Sequence, residues 1–217
     1  MVTRRSRTAR TSGSQGEPIF RAMLAIGDLR SDGLAAEVAD LVVRRPGLLP
    51  ELIAVLRDGD PGVRGHGADA LERVSRVFPE RVARYLTQLL SLARSDEVAM
   101  VRWHMAMSLT NVTRSPATAR RTTPALAALL ADRSAFVRAW AVSGLCLVGR
   151  SFDGFTKDIV PALQRLEGDP SVAVRHRAVM AVRLLLDPRR PMPRSWVKVR
   201  SPAPNQRSGA AGSTTGA

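Results

Sequence analysis

One cysteine, Cys146, stands among the 217 residues. No intrachain disulfide can form, so the fold has to be held by packing, and a lone thiol fits a reducing compartment. Aromatic residues make up only 4% of the chain. Leu, Ala and Val carry the apolar load instead, and such side chains suit closely stacked helices. No apolar run is long enough to cross a bilayer, which excludes membrane insertion through a helix. The basic start of the chain has no secretory apolar stretch behind it, because Pro, Gly, Ser and Glu intervene. The cytoplasm is therefore the expected location; the acid-free, Arg-rich start is only superficially like an organelle transit segment. Lysine is nearly missing: two of the 33 basic residues, Lys157 and Lys198, are Lys. Arginine in that excess strengthens carboxylate or phosphate pairing, although coding bias explains it equally well.

Acid is missing from both ends. Residues 1–16 carry Arg4, Arg5, Arg7 and Arg10 without an acid, and residues 188–217 carry six basic residues without one. Between them, residues 17–187 are nearly balanced at +4, so most of the net charge of +14 sits on the tails. Basic arms of this kind attract polyanions at long range, or serve only as solubilising segments. Residues 1–16 are expected to be a disordered basic arm, 17–187 a helical repeat domain, and 188–217 a mostly disordered basic tail rich in Pro, Ser, Gly and Ala.

The strongest positive signal is an internal repeat. Four segments align without gaps: DGDPGVRGHGADAL at 58–71, DEVAMVRWHMAMSL at 96–109, DRSAFVRAWAVSGL at 132–145 and DPSVAVRHRAVMAV at 169–182. Each opens on an acid (Asp58, Asp96, Asp132, Asp169) and carries an arginine six residues later (Arg64, Arg102, Arg138, Arg175), preceded by Val63, Val101, Val137 or Val174. The arginines are 38, 36 and 37 residues apart, a period of helical repeats. Apolar stripes such as Val101, Met105, Leu109 and Val112 follow helical spacing. The acid is placed to accept backbone N–H groups at the helix start. The arginine is placed to reach the acid of its own or a neighbouring repeat, forming a structural ladder.

Between these helices the sequence predicts others near 47–57, 79–94, 117–131 and 156–167, with Pro50, Pro124 and Pro161 near three of their starts. Helices near 17–28 and 33–45 would form an atypical first unit that caps the stack, giving about five helical units in all. The last helix, near 171–186, lacks a following partner, and Trp196, Val197 and Val199 are candidates to cover that open end.

Chemistry-bearing residues are few. His66, His104, Trp140 and Arg177 occupy equivalent repeat positions, two beyond each arginine, and read as a row of packing or surface residues. Three histidines and one cysteine spread over four units give no metal-ligand spacing. Cys146 lies in an apolar helix without a neighbouring base and reads as structural. There is no phosphate-binding glycine loop and no metalloprotease motif. No catalytic residue, cofactor site or metal site is assigned. Arg81, Arg84, Arg120, Arg121, Lys157 and Arg165, in or beside the intervening helices, are the candidates for contact with an acidic protein or a nucleic-acid backbone.

The Asp, Val-Arg and small-apolar pattern resembles HEAT repeats, notably the short bacterial type found in phycobilin-lyase-like proteins. The match covers 47–187 well and 17–46 loosely. It implies an all-α, right-handed alpha-alpha superhelix, a HEAT-like or armadillo-like solenoid. It further implies that the Val-Arg helices form the convex side and the intervening helices line the concave, ligand-facing side. More distantly the chain is similar to alkylpurine DNA glycosylases built from HEAT-like repeats. By that likeness Trp103, Trp140 and Asp132 attract notice, yet no catalytic motif of those enzymes falls on them, and both tryptophans lie on the helices expected to face away from the groove. The leading expectation is a noncatalytic scaffold or adaptor binding a protein or peptide. The alternatives are a DNA- or RNA-binding protein using the Arg-rich arms, and the glycosylase-like enzyme; a chromophore-lyase activity would be implied only by the first likeness. Oligomeric state does not follow from the residues.

Overall fold

The computed structural model describes residues 19–197; the expectations for 1–16 and for most of the C-terminal tail, Val199 included, lie outside them. Among the described residues every element is helical: α1 Ile19–Leu24, α2 Ala35–Arg44, α3 Leu49–Val55, α4 Pro61–Val77, α5 Pro79–Ala83, α6 Leu86–Ser95, α7 Ala99–Val112, α8 Pro116–Ala128, α9 Ala135–Ser151, α10 Thr156–Gln164 and α11 Val172–Leu186. None is long and apolar enough to cross a membrane. Proline opens α4, α5 and α8, where its missing N–H costs nothing. Pro124 and Pro161, expected near helix starts, instead lie inside α8 and α10, each of which tightens into a 3-10 turn a few residues later. The helix expected over 79–94 is broken: the chain makes a short turn at Arg84 and Tyr85, with Tyr85 N–H bonded to the Val82 carbonyl at 2.9 Å.

The helices stack as pairs sharing one continuous hydrophobic interior, from Phe20 to Trp196. The four repeat valines, Val63, Val101, Val137 and Val174, are each fully buried at equivalent places in it. Of its two neighbours in sequence, each Val-Arg helix packs more on the one before it: α6 meets α7, and α10 meets α11, more extensively than α7 meets α8 or α9 meets α10. The structural unit is thus an outer helix, a turn containing the repeat Asp, and the Val-Arg helix. Among the described residues no helix follows α11, as expected, but none is missing from its unit, because α11 pairs with α10 before it.

The curvature also reverses the expected faces. The row α2, α4, α7, α9, α11 is tightly packed side by side, whereas α8 and α10 of the other row hardly meet. Neighbours in a curved stack lie closer on its concave side, so the Val-Arg helices are the inner, concave row. Small residues permit the approach: a Cβ on Gly144 of α9 would lie 2.4 Å from Thr110 Oγ1 of α7.

The first unit ends differently. α1 stops at Leu24, and the loop after it passes through Gly27 and Gly33, whose φ of 91° and 51° favour glycine. His66, buried and not on the surface, faces this loop: Nδ1 lies 2.8 Å from the Leu24 carbonyl, and Nε2 lies 3.0 Å and 3.1 Å from those of Asp28 and Ser31.

Candidate binding surface

The repeat acids and arginines are arranged with a one-unit offset. Arg64 Nε donates to Asp96 at 3.0 Å, Arg102 Nε to Asp132 at 2.6 Å and Arg138 Nε to Asp169 at 2.7 Å, each acid belonging to the following unit. Arg102 and Arg138 are two-pronged, with Nη2 on the second carboxylate oxygen at 2.9 Å and 2.8 Å. Within its own unit each arginine instead grips the backbone: Nη1 donates to the carbonyls of Asp58, Asp96, Asp132 and Asp169 from Arg64, Arg102, Arg138 and Arg175 at 2.5–2.9 Å. Asp58, with no repeat arginine before it, receives Arg21 Nε at 2.8 Å. The acids also accept the N–H two residues on, as Asp132 does from Ser134 at 2.7 Å. They therefore shape the turn, while the helix caps themselves are residues such as Asp60 and Ser134. Desolvation alone would raise the Asp132 carboxyl; the Arg102 hydrogen bond and the Ser134 N–H outweigh it and hold that carboxyl below its ordinary range. The Arg138 fork, against the opposing effect of burial, does the same for Asp169. Asp132 is consequently committed to Arg102, not aimed at an open groove.

The six basic candidates, Arg81, Arg84, Arg120, Arg121, Lys157 and Arg165, are all exposed and all sit on the outer row, which is convex. Arg81 lies over the Phe78 ring at 5.6 Å, and Arg121 Nη2 donates to Thr87 Oγ1 at 3.0 Å. They do not gather around a cavity.

The inner row is where apolar and polar groups converge. Trp103 and Trp140, expected on the far side, lie here. Trp103 packs against Phe136 with ring centroids 5.4 Å apart, and Phe136 and Val172 remain 68% and 69% exposed. Between α9 and α11 a cleft of about 520 Å³ is lined by Phe136, Trp140, His176, Arg177, Met180 and Trp196 among others. The Arg177 guanidinium stands 5.3 Å from the centroids of both Trp140 and Trp196, and its Nη1 donates to Ser143 Oγ at 2.7 Å. No acid pairs with it among the described residues, and burial pulls its pKa below the usual value. Trp196 does not cover the end of the stack as expected. It lies on the concave face, also bordering Thr110, Asn111 and Leu147.

Sequence reasoning missed a second cluster on this face. Asp69, Glu72 and His104, all buried, bring one potential ligand atom each within 4.8 Å of the others. The spacing of Asp69 and Glu72 on one helix face was a usable signal. Both carboxylates, however, are already engaged: Asp69 accepts Arg73 Nε and Nη2 at 3.0 Å, and Glu72 accepts both prongs of Arg76 and the Asn111 amide at 3.1 Å. Ion-paired in this way, the cluster reads as a buried polar network joining α4 to α7. Cys146 is equally unsuited to chemistry, since burial pushes its thiol up to about 12.

No protein-family model and no curated protein matches the sequence. Solved structures do match in fold. A computationally designed armadillo repeat protein for modular peptide recognition is 16% identical over 76% of this chain and 79% of that one, with a TM-score of 0.58. The CpcE–CpcF complex of phycocyanin lyase from Nostoc sp. PCC7120 is 22% identical over 68% and 85%, with a TM-score of 0.55. The karyopherin Kap121p, bound to the extreme C-terminus of the protein phosphatase Cdc14p, is 19% identical over 76% of this chain and 19% of its own, with a TM-score of 0.58. At such identities the likeness speaks for architecture alone: the chain is an all-α, right-handed superhelix of stacked helix pairs, a HEAT/armadillo-like solenoid.

Proposed function

We propose that this protein is a noncatalytic scaffold that holds a linear segment of a partner protein against its concave row of helices. The observation that carries this reading is the cleft between α9 and α11, with Phe136 left 68% exposed beside Trp140 and Arg177. Exposed aromatic side chains rimmed by polar groups suit a binding face better than a solvated one. The buried carboxylates Asp69, Glu72, Asp132 and Asp169 are engaged in ion pairs with arginines, which does not suit them to acid–base work. The similar designed protein made for peptide recognition, and the karyopherin bound to a chain terminus, use the same architecture.

Selecting a library of linear peptides on the immobilised protein tests this. Selected peptides should bind the Phe136→Ser protein about ten-fold more weakly or worse, the effect of losing one well-packed anchor. The outer-row variant carrying Arg120→Glu and Arg121→Glu should bind them unchanged. Binding should also vary little with salt, whereas a phosphate-driven complex would weaken roughly a thousand-fold between 50 and 200 mM. Dependence on the outer arginines rather than on Phe136 would refute the reading.

A further inference from the structure

We propose that the cleft around Arg177 is a seat for linear segments anchored by one aromatic side chain, and that Trp196 is its resident occupant, held in cis. This rests on the peptide-binding reading above and names the class of ligand.

Trp196 is only 6% exposed, yet it belongs to no helix and its neighbours Arg194, Ser195 and Val197 are exposed. Trp196 is therefore the buried anchor of an irregular segment on the concave face, with Met192 of the same segment partly buried against the core. The anchoring geometry is specific: the Trp196 ring, the Arg177 guanidinium and the Trp140 ring come together, with Ser143 fixing the guanidinium. An arginine beside two indoles is attracted to both, and the more so when partly desolvated. It also leaves the guanidinium without an acid, so the seat suits an aromatic ring accompanied by a carboxylate even better than it suits Trp196.

The segment leading to Trp196 is built like a ligand. Pro188, Pro191 and Pro193 restrict its backbone, which lowers the entropy lost on docking. Its main-chain attachment to the solenoid runs through Arg150, whose Nη2 donates to the Pro188 carbonyl at 2.8 Å and whose Nη1 donates to that of Arg190 at 3.0 Å. The local turn is closed by Trp196 N–H on the Pro193 carbonyl at 2.9 Å. A competing anchor has to displace the Trp196 ring alone, because the Arg150 bonds and Met192, packed against the core, hold the segment at other points. Beside that ring the cleft of about 520 Å³ remains to receive the residues flanking such an anchor. Because the occupant is tethered, its effective concentration is high, and a partner in trans binds only with the tether's advantage against it.

The test uses the full chain carrying Trp196→Ala and a fluorescent synthetic peptide of residues 188–197, followed by anisotropy. The peptide should bind the variant saturably and the parent at least about ten-fold more weakly, as expected for competition with a tethered occupant. A peptide with Ala in place of Trp196 should not bind, and adding Arg177→Gln to the variant should abolish binding. Equal binding to parent and variant, or none to a variant that keeps its helical circular dichroism, overturns the proposal. Should Trp196→Ala not fold, the parent labelled with 5-fluorotryptophan decides the matter. Excess library-selected peptide should move the Trp196 fluorine resonance to a solvent-exposed position, and an unmoved resonance overturns the proposal. In that last case peptides still lost on Phe136→Ser leave the scaffold reading standing, so the two failures are distinguishable.

Discussion

Replacing Arg138 by Ala should lower the unfolding free energy by about 3–5 kcal/mol, the usual result of leaving one partner of a buried ion pair alone. In a domain of this size that is a fall in Tm of ~10 °C or more. Both groups are sequestered, with side chains 10% and 3% exposed for Arg138 and Asp169. Four hydrogen bonds of the guanidinium disappear together, two to Asp169 and two to the carbonyls of Asp132 and Arg133. The contrast is Arg190 with Asp187, whose side chains are 60% and 47% exposed; Arg190→Ala should cost less than about 1 kcal/mol in the same thermal melts.

The same pairs set the response to acid. Asp132 and Asp169 have carboxyls held lower in the folded chain than in the unfolded one. Their contribution is therefore complete above the unfolded value, near pH 4, and is lost as pH falls through the depressed folded value. The parent should lose stability more steeply below about pH 4 than the Arg138→Ala protein, which no longer has one of the pairs to lose.

Gly144→Val should cost about 3 kcal/mol by thermal or urea unfolding, even though Val is the better helix former. A Cβ there meets Thr110 Oγ1 at 2.4 Å and Leu126 at 3.3 Å, and Thr110 is fixed by its own bond to the Ala106 carbonyl at 2.8 Å. The added side chain would push α9 away from both α7 and α8. At Gly47, where nothing stands within 4 Å of an added Cβ, a change to Ala should stay within about 0.5 kcal/mol.

That glycine also explains what the sequence did and did not disclose. The period near 37 residues, the buried valines and the helical class were legible because burial imposes a repeating stripe. Which row faces inward was not, because both helices of a unit bury a stripe and periodicity is blind to curvature. The missed signal was side-chain size: Gly65, Gly67, Ala68, Ala106, Ala141, Gly144 and Ala178 all lie on the inner helices, whereas Leu52, Leu89, Leu126 and Leu163 fill the outer ones. Smaller residues bring axes closer and so define the concave side.

The ladder was half legible. Acid and arginine recur together in the chain, but whether each arginine takes its own acid or the next depends on the step between stacked units, which no single repeat contains. Arg177 and Trp196 were further out of reach. Their meeting requires the segment after α11 to turn back across α9, a tertiary event with no periodic trace, and the sequence suggested the end of the stack instead.

The offset between units is the feature on which the architecture turns, and a pair of double-mutant cycles measures it directly. Arg102 donates to the Asp132 carboxylate at 2.6 and 2.9 Å, but to Asp96 only through its backbone carbonyl at 2.7 Å. Combining Arg102→Ala with Asp132→Ala should give a coupling energy of about 1–3 kcal/mol, and combining it with Asp96→Ala one within about 0.5 kcal/mol of zero. Strong coupling to Asp96 with none to Asp132 would mean that each arginine closes on its own unit, and the stacked register described here would be wrong.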